Sequence, residues 1–304
     1  MWVITSVVKT RGDDMKQRLS VVRKFLLWWF SPPNSPWVCV NLSVDFSQAQ
    51  AYLDRLAEDK EAAKVTVHHL LCSSIAKGLL KVPQANSRII GGEIFSQDQI
   101  SIAIPVNLLG HKAGKERELS VLLLKDIGRK NVRQLAEEAR KDLTKERSGK
   151  MTNPFLRYML KVADRLPAPM LGRVLDGFDR MMTNPRFANK IYDQFPVTTA
   201  LSNPGAALPS DVEGILFRSC GVELPTRMVH VGTFFAASAV QNEVIPINGK
   251  PEVRPMLPIM MLFDHRLIDG MKASTLLIEI ASCIQNPEAT FGSNGQVPPQ
   301  EAAE

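Results

Sequence analysis

The stretch of sequence that decides the fold reads MLPIMMLFDHRLIDG and spans residues 256–270. Its first half is continuously apolar, which predicts a buried strand. The turn that follows holds two acids, an arginine and a histidine, His265. Charged groups need partners or solvent, so this position favours the edge of a cleft over a solid core. Histidine exchanges protons near neutral pH, so the turn could be a reactive site with His265 as its base. The alternative is a capped turn without a reactive role.

The residues before this stretch predict a hairpin that leads into it. Asn248-Gly249 separates two strand-like runs, 244–247 and 253–263, and this dipeptide is a strong signal for a two-residue turn. Alternating or continuous apolar residues predict further strands. They cover residues 38–44, 87–94, 99–106, 198–202 and 228–237.

Helices are predicted between these strands, with Ser47 capping the first and Asn131 capping the third. They cover residues 47–58, 65–81, 131–149 and 271–284. Strands and helices mix throughout the chain, and no internal repeat is visible. The sequence therefore predicts an α/β sandwich with a largely antiparallel sheet.

Residues 151–195 differ in character from the rest of the chain. Pro167 and Pro169 separate two amphipathic helices, around 155–163 and 171–182, which predicts an inserted helical hairpin. Between residues 150 and 190 there are eight Lys or Arg and three Asp, so this segment holds nearly all of the net charge of +6. The charge is neither interleaved with aromatic residues nor carried on a known motif, so nucleic-acid binding is not predicted.

The four cysteines, Cys39, Cys72, Cys220 and Cys283, lie far apart and form no CxxC pair. Each lies among apolar residues. This pattern predicts buried free thiols in a reducing compartment, and hence a cytoplasmic protein without a metal site.

Two segments near the ends of the chain are also distinctive. The run FLLWWF, residues 25–30, is stopped by Pro32 and Pro33, whereas a membrane span needs about 20 apolar residues. This run is either the buried face of a helix or a contact for a membrane surface or a partner. Residues 292–304 are small and polar, which predicts a disordered tail after a single domain over residues 1–291.

The turn at residues 263–270 resembles the DHRxxDG signature of the dihydrolipoamide acyltransferase catalytic domain of 2-oxoacid dehydrogenase complexes. It resembles, more loosely, the HHxxxDG signature of chloramphenicol acetyltransferase. Several segments on either side of the turn also match that family, in the same order along the chain. They are residues 65–67, 81–83, 201–205, 248–250, 253–256 and 286–288. The resemblance covers about residues 15–291 apart from the inserted hairpin, and it implies the two-layer sandwich of the chloramphenicol acetyltransferase-like fold.

The resemblance implies a direct acyl transfer. In this family a thioester of coenzyme A and its acceptor enter a channel at a subunit interface from opposite ends. His265 would take the proton of the acceptor, and Ser202 would donate a hydrogen bond to the oxyanion that develops on the thioester. Asp269 would hold the loop through an ion pair, and Arg266 would be structural. Residues that contact coenzyme A are not indicated.

Alternatives to these roles remain open at several residues. Ser202 is either the oxyanion donor or a cap for the turn before Pro204, since Ala200 stands where the family usually has a hydroxyl residue. His68 and His69 lie in an apolar helix and are predicted to be structural.

The sequence thus predicts an acyltransferase that uses acyl-CoA as substrate and a small-molecule or lipoyl-type thiol, hydroxyl or amine as acceptor. No lipoyl group is expected on this chain, because it begins almost at the catalytic domain. A homotrimer is expected in place of a cubic or dodecahedral cage, because a polar tail follows Phe291 where cage-forming members carry an apolar anchor. The alternatives are a catalytically silent trimeric scaffold that binds partner proteins and a protein of the membrane surface.

Two interpretations of the inserted hairpin are also possible. It is either a basic lid at the acceptor entrance, which receives a lipid-like or membrane-presented substrate, or a hairpin packed on the outside of the trimer.

Overall fold

The computed structural model describes residues 36–112, 119–150, 157–158, 166–208, 212–219 and 229–301. Three predicted features lie outside the described residues: the apolar run at 25–30, most of the helix around 155–163, and Cys220.

The described strands and helices follow one another along the chain in a mixed order. The strands are β1 (Trp37–Asp45), β2 (Ser87–Ile90), β3 (Glu93–Ser96), β4 (Ile102–Asn107), β5 (Leu119–Leu124), β6 (Thr199–Ser202), β7 (Thr233–Ala237), β8 (Gln241–Ile247) and β9 (Lys250–Asp264). The helices are α1 (Ser47–Leu56), α2 (Val67–Lys81), α3 (Val132–Arg147), α4 (Ala168–Met182), α5 (Pro185–Gln194), α6 (Gly270–Gln285) and α7 (Pro287–Phe291).

A mixed sheet in the order β1-β9-β7-β6-β4-β5 forms the centre of the fold, and β8 pairs with β9 beside β7. β6 runs parallel to β4 and β7, and the other pairs are antiparallel. The second half of β9 is buried on both faces, with Ile259 and Met261 in the main core and Met260 in a smaller cluster on the opposite face, which explains why it is continuously apolar. The turn before β9 places Asn248 and Gly249 at φ 48° and 77°, as a two-residue hairpin requires, so the hairpin prediction is confirmed.

Helices α1, α2, α3 and α6 cover one face of the sheet and share the main hydrophobic core with alternate strand residues. α2 and α6 approach closely because Gly78 has no side chain: a Cβ there would lie 2.7 Å from Cδ1 of Leu276. On the other face, α5, the end of α4 and the β2–β3 hairpin pack over β4 and β5. The predicted α/β sandwich is confirmed.

Several local predictions differ from the structure. The single strand expected over residues 87–94 is the β2–β3 hairpin, because Gly91 and Gly92 adopt φ 57° and 82° and reverse the chain. β5 and α5 were not anticipated, and α5 begins where the side chain of Asn184 accepts hydrogen bonds from the next turn. Asp45, not Ser47, supplies the side-chain acceptor at the start of α1, receiving the N–H of Ser47 at 2.9 Å.

The cysteines and the tail also depart from expectation. Cys72 and Cys283 are buried, and burial raises the pKa of each thiol to about 12, but Cys39 is exposed on β1. Residues 292–301, expected to be disordered, lie against α1 and α3. Tyr52 donates to the carbonyl of Gly292 at 2.9 Å, and Arg133 donates to the carbonyl of Asn294 at 2.7 Å. These bonds satisfy backbone acceptors that a polar tail would otherwise leave to water.

Candidate active site

His265 is held at the point where β9 ends. Its backbone N–H donates to the carbonyl of Pro36 at 2.9 Å, which ties the turn to the start of β1. Its ring Nδ1 lies 3.1 Å from the carbonyl oxygen of Ile268. A carbonyl only accepts hydrogen bonds, so this contact places the proton on Nδ1 and the lone pair on Nε2. The ring is half-buried, and Nε2 is therefore the atom that can act as a base.

An ion pair inside the turn fixes the backbone around His265. Asp264 is only 3% exposed, and Arg266 binds it with two nitrogens, Nε at 3.0 Å and Nη2 at 2.7 Å. The backbone N–H of Arg266 adds a third bond to the same carboxylate at 2.9 Å. A bidentate, partly buried pair of this kind orders a loop strongly. Arg266 therefore has the structural role expected of it.

Asp269 forms no ion pair with another described residue, and the ion pair within this turn joins Asp264 to Arg266. Asp269 is exposed, and its carboxylate accepts the backbone N–H of Lys272 at 3.0 Å, which makes it the N-cap of α6. A carboxylate here satisfies an otherwise unpaired helix donor and lies at the positive end of the helix dipole. Its role is to start α6 directly after the histidine turn.

The Asp269→Ala variant is expected to lower the free energy of unfolding by about 1 kcal/mol, because the first turn of α6 loses its cap. Asp269→Asn, which retains an acceptor oxygen, should lose only a few tenths of that value. Denaturant titration of the three proteins measures the difference. Equal losses in the two variants would show that the helix cap is not what Asp269 contributes.

Ser202 ends β6 and is half-buried. The loop after it is set by Gly205, where a Cβ would lie 2.1 Å from the carbonyl carbon of Ser238. Only glycine allows the two backbones to approach this closely. Close packing against the segment after β7 thus fixes the loop that carries the serine.

Ser202 projects from the sheet face opposite the main helices. It lies opposite Ala236 on β7, which lies opposite Met260 on β9, and residues opposite one another share a face. The same row continues to Asn41 on β1, which is exposed. Ala236 and Met260 in this row are buried, so the face that carries Ser202 is exposed to solvent at Asn41 on β1 but covered between them.

The structure does not bring Ser202 and His265 of one chain together. His265 follows β9 five residues beyond Met260, the residue in the row of Ser202. At about 3.3 Å per residue and about 4.8 Å per strand, their Cα atoms lie roughly 17 Å apart along the sheet and about 10 Å apart across it. The two side chains are too far apart to act on one substrate atom within a single chain.

His68 and His69 lie at the start of α2, in the helix predicted to contain them. Nδ1 of His69 accepts the backbone N–H of Thr66 at 3.1 Å, which helps to begin the helix. Nδ1 of His68 lies 3.2 Å from the side-chain nitrogen of Asn203, the residue after Ser202. Nε2 of His68 is buried and has no hydrogen-bond partner among the described residues. Burial lowers the pKa of His68 to about 4.

The free energy of unfolding is expected to fall as the pH drops from about 6.5 towards 4. In this window His68 is protonated in the unfolded chain but neutral in the folded one, so the unfolded state binds more protons and acid favours it. At pH 5 the loss from His68 is about 2 kcal/mol. His68→Gln should show a shallower pH dependence in denaturant titrations than the wild type, and His111→Gln, at an exposed position, should not. Identical slopes for wild type and His68→Gln would contradict this assignment.

Sequence reasoning missed a buried polar cluster beside the histidine turn. Arg88 on β2 is 1% exposed, donates to the carbonyl of Val197 at 2.9 Å and lies 3.8 Å from the centre of the Tyr192 ring. The Tyr192 hydroxyl lies 2.9 Å from Nδ1 of His230 and accepts the backbone N–H of His230 at 2.8 Å. Burial lowers the pKa of Arg88 to about 10, so it stays charged near neutral pH. The sequence contained one clue to this cluster, which is that Arg88 stands beside apolar residues in a predicted strand.

This cluster supports the turn that holds His265. The carbonyl of Gly232, two residues after His230, accepts the backbone N–H of Asp264 at 3.0 Å. A Cβ at Gly232 would lie 2.4 Å from the carbonyl oxygen of Ser87 and 2.6 Å from a methyl group of Leu267. The start of β2 and the histidine turn are therefore packed on either side of one glycine.

Within the described ranges, no group of three or more His, Cys, Asp or Glu side chains is arranged to hold a metal ion. No helix in the same part of the chain is long and apolar enough to cross a membrane.

The fold defines a class of protein. The cubic core of the pyruvate dehydrogenase multienzyme complex superposes with a TM-score of 0.55 at 18% identity, covering 94% of this chain and 99% of that one. Chloramphenicol acetyltransferase superposes with a TM-score of 0.52 at 15% identity, covering 89% and 100%. At these identities the likeness concerns the fold. The chain has the chloramphenicol acetyltransferase-like fold, as predicted.

The sequence model of the family described as "2-oxoacid dehydrogenases acyltransferase (catalytic domain)" matches residues 29–155 and 232–292. These segments make up more than half of the chain and include His265. The chain belongs to this family. The match omits residues 156–231, which contain α4, α5 and Ser202.

A curated relative agrees with this family. It is the dihydrolipoyllysine-residue succinyltransferase component of the 2-oxoglutarate dehydrogenase complex of Bartonella vinsonii subsp. berkhoffii, which is 21% identical over 249 residues. The match covers 82% of this chain but only 47% of the relative, so the chain spans about half of that protein's length.

Proposed function

We propose that this chain is a CoA-dependent acyltransferase in which Nε2 of His265 is the general base. The observation that carries the proposal is the hydrogen bond between Nδ1 of His265 and the carbonyl of Ile268, in the signature turn of an acyltransferase catalytic domain. That bond leaves the basic lone pair on Nε2 and fixes the direction in which it points. The buried Asp264–Arg266 pair keeps the turn rigid, which reduces the reorganisation needed for proton transfer.

The proposed step is a direct transfer. Nε2 of His265 takes the proton of the acceptor thiol, hydroxyl or amine, whose heteroatom attacks the thioester carbonyl of acyl-CoA. The tetrahedral intermediate then collapses, the bond from carbon to sulfur breaks, and the proton on Nε2 passes to the departing CoA thiolate. The name of the Bartonella relative supports a dihydrolipoyl-type thiol as one acceptor class.

The oxyanion donor is proposed to come from a second copy of the chain. Ser202 and His265 are too far apart within one chain, and Ser202 lies on the sheet face that is open at Asn41. A ring of three copies would let the histidine turn of one subunit meet the serine face of the next. Each subunit boundary would then form one complete site, with Ser202 placed to donate to the thioester oxygen.

A trimer without further assembly is proposed for this chain. Phe291, at the end of α7, is fully buried in the main core, and the following residues fold back against α3. It is therefore not free to serve as an apolar anchor between trimers. Sedimentation should show a particle of three chains, and a particle of many trimers would refute this arrangement.

Thiol release tests the proposed activity. The protein is mixed with each of a panel of acyl-CoAs and with lipoamide, an amine or an alcohol, and free CoA is followed over time. Acceptor-dependent release of CoA that disappears in His265→Ala supports the enzyme. If a correctly folded trimer released no CoA with any pair of acyl-CoA and acceptor, the catalytically silent scaffold would be favoured instead.

A further inference from the structure

Helix α4 is anchored to the rest of the molecule by one face. The ring of Phe178 packs edge-on against the ring of Phe187 on α5, with centroids 5.9 Å apart. Met182 is buried in the same cluster as Ala188 and Tyr192. These contacts fix the rotation of α4 about its own axis, so its other face cannot turn inward.

A second apolar stripe runs along the outer face of α4. Met170, Val174, Gly177 and Met181 recur at positions i, i+4, i+7 and i+11, a spacing that places them on one side of a helix. The three side chains are 51%, 45% and 50% exposed. An apolar stripe that faces water on a helix already packed elsewhere indicates a contact surface.

Cations surround this stripe. Arg173 and Arg180 lie on α4, and Arg186 and Lys190 lie on α5, all four exposed. None of them forms an ion pair with a described carboxylate. Arg180, Arg186 and Lys190 line an open groove of about 520 Å³ together with Met181.

The acidic residues of α4 do not neutralise this surface. At 3.6 residues per turn, Asp176 and Asp179 lie roughly 130° or more around the helix from the centre of the stripe. The outer face of α4 and the adjoining groove therefore combine exposed apolar side chains with unpaired positive charge.

We propose that this surface, formed by α4 and the groove beside α5, docks onto an anionic phospholipid bilayer. An amphipathic helix with an apolar stripe flanked by arginines binds in the interfacial region by burying the stripe and pairing its cations with headgroups. The arginine stems reach along the apolar boundary while their guanidinium groups stay at headgroup level. A second copy packed through the same surface would bring like charges together, which disfavours self-association there.

This docking is independent of the proposed chemistry at His265. The docking surface contains neither His265 nor Ser202, so it would hold the enzyme at a lipid surface without supplying a group to the proposed transfer. The interpretation of the hairpin as a lid over the acceptor entrance stays a prediction.

Vesicle flotation of the full chain tests the proposal. Wild-type protein is mixed with vesicles of phosphatidylcholine and phosphatidylglycerol, or of phosphatidylcholine alone, at about 0.1 M and about 1 M salt. We expect flotation with the anionic vesicles at low salt only, because the Debye length falls from about 10 Å to about 3 Å. His265→Ala should float as the wild type does, which separates this result from the proposed activity.

Two double variants locate the binding surface. Arg180→Gln with Lys190→Gln should weaken binding about 25-fold, at about fivefold per cation. Val174→Ser with Met181→Ser should weaken it on the order of tenfold without changing the net charge. The matched control is Arg140→Gln with Arg147→Gln on α3, which removes equal charge from exposed positions elsewhere and should leave most of the binding intact.

Three outcomes would overturn the proposal. They are no flotation of the wild-type protein at low salt, equal binding to neutral and anionic vesicles, and a loss of binding in the α3 control as large as that in the α4–α5 variant. If the wild-type protein binds no vesicles and the Val174→Ser, Met181→Ser double variant changes the oligomeric state, the surface is an interface between copies of the chain.

Discussion

Replacing His265 by alanine is expected to lower the rate of acyl transfer by about 10³-fold. The loss follows because Nε2 would no longer take the proton of the acceptor as it attacks the thioester. The rate is measured as CoA thiol release at saturating acyl-CoA and acceptor. The variant should keep the wild-type free energy of unfolding within about 1 kcal/mol, because the ring is only half-buried and a hydrogen bond such as that to the carbonyl of Ile268 contributes about that much.

His111→Ala is the matched control, since it removes an exposed imidazole from a loop outside the site. Its rate should equal that of the wild type. A His265→Ala variant that keeps most of the wild-type rate would remove His265 from the chemistry.

Replacing Ser202 by alanine is expected to lower kcat by about 10²- to 10³-fold and to leave the KM for acyl-CoA little changed. An oxyanion donor acts on charge that develops only in the transition state, so its loss affects the chemical step and not ground-state binding. Ser202→Thr, which retains a hydroxyl, should recover part of the lost rate.

The alternative role of Ser202 gives the opposite pattern. If the serine only stabilises the turn before Pro204, Ser202→Ala should reduce the free energy of unfolding and leave kcat of the folded protein unchanged. Measuring both quantities on the same preparation separates the two roles.

Features encoded by a few neighbouring residues were predicted correctly from the sequence. The β8–β9 hairpin follows from Asn248-Gly249, whose backbone angles suit a two-residue turn. The start of α3 follows from Asn131, whose side chain accepts the N–H of Gln134 at 2.9 Å. The position of His265 follows from an apolar strand that ends in a charged turn. Each depends on local chemistry that the sequence displays directly.

Features that depend on contacts between distant segments were not predictable in the same way. Arg88 and Tyr192 are more than a hundred residues apart in the chain and meet only because α5 packs over the β2–β3 hairpin. Asp264 and Asp269 are both acids in one turn, and the backbone path alone decides that the first pairs with Arg266 and the second caps α6. The distance between Ser202 and His265 within one chain follows from the order of the strands in the sheet. The alternation of apolar residues along a strand does not encode that order.

Mixing two inactive variants tests most directly whether the site is built across subunits. His265→Ala and Ser202→Ala chains are unfolded together, refolded so that subunits exchange, and assayed for acceptor-dependent CoA release. In a ring where each site takes its histidine from one chain and its serine from the next, about a quarter of the sites in a random mixture are complete. We therefore expect the mixture to regain about a quarter of the wild-type rate, while each variant refolded alone stays inactive. A mixture no more active than its parents, although exchange is demonstrated, would contradict a site shared between His265 and Ser202 of neighbouring subunits.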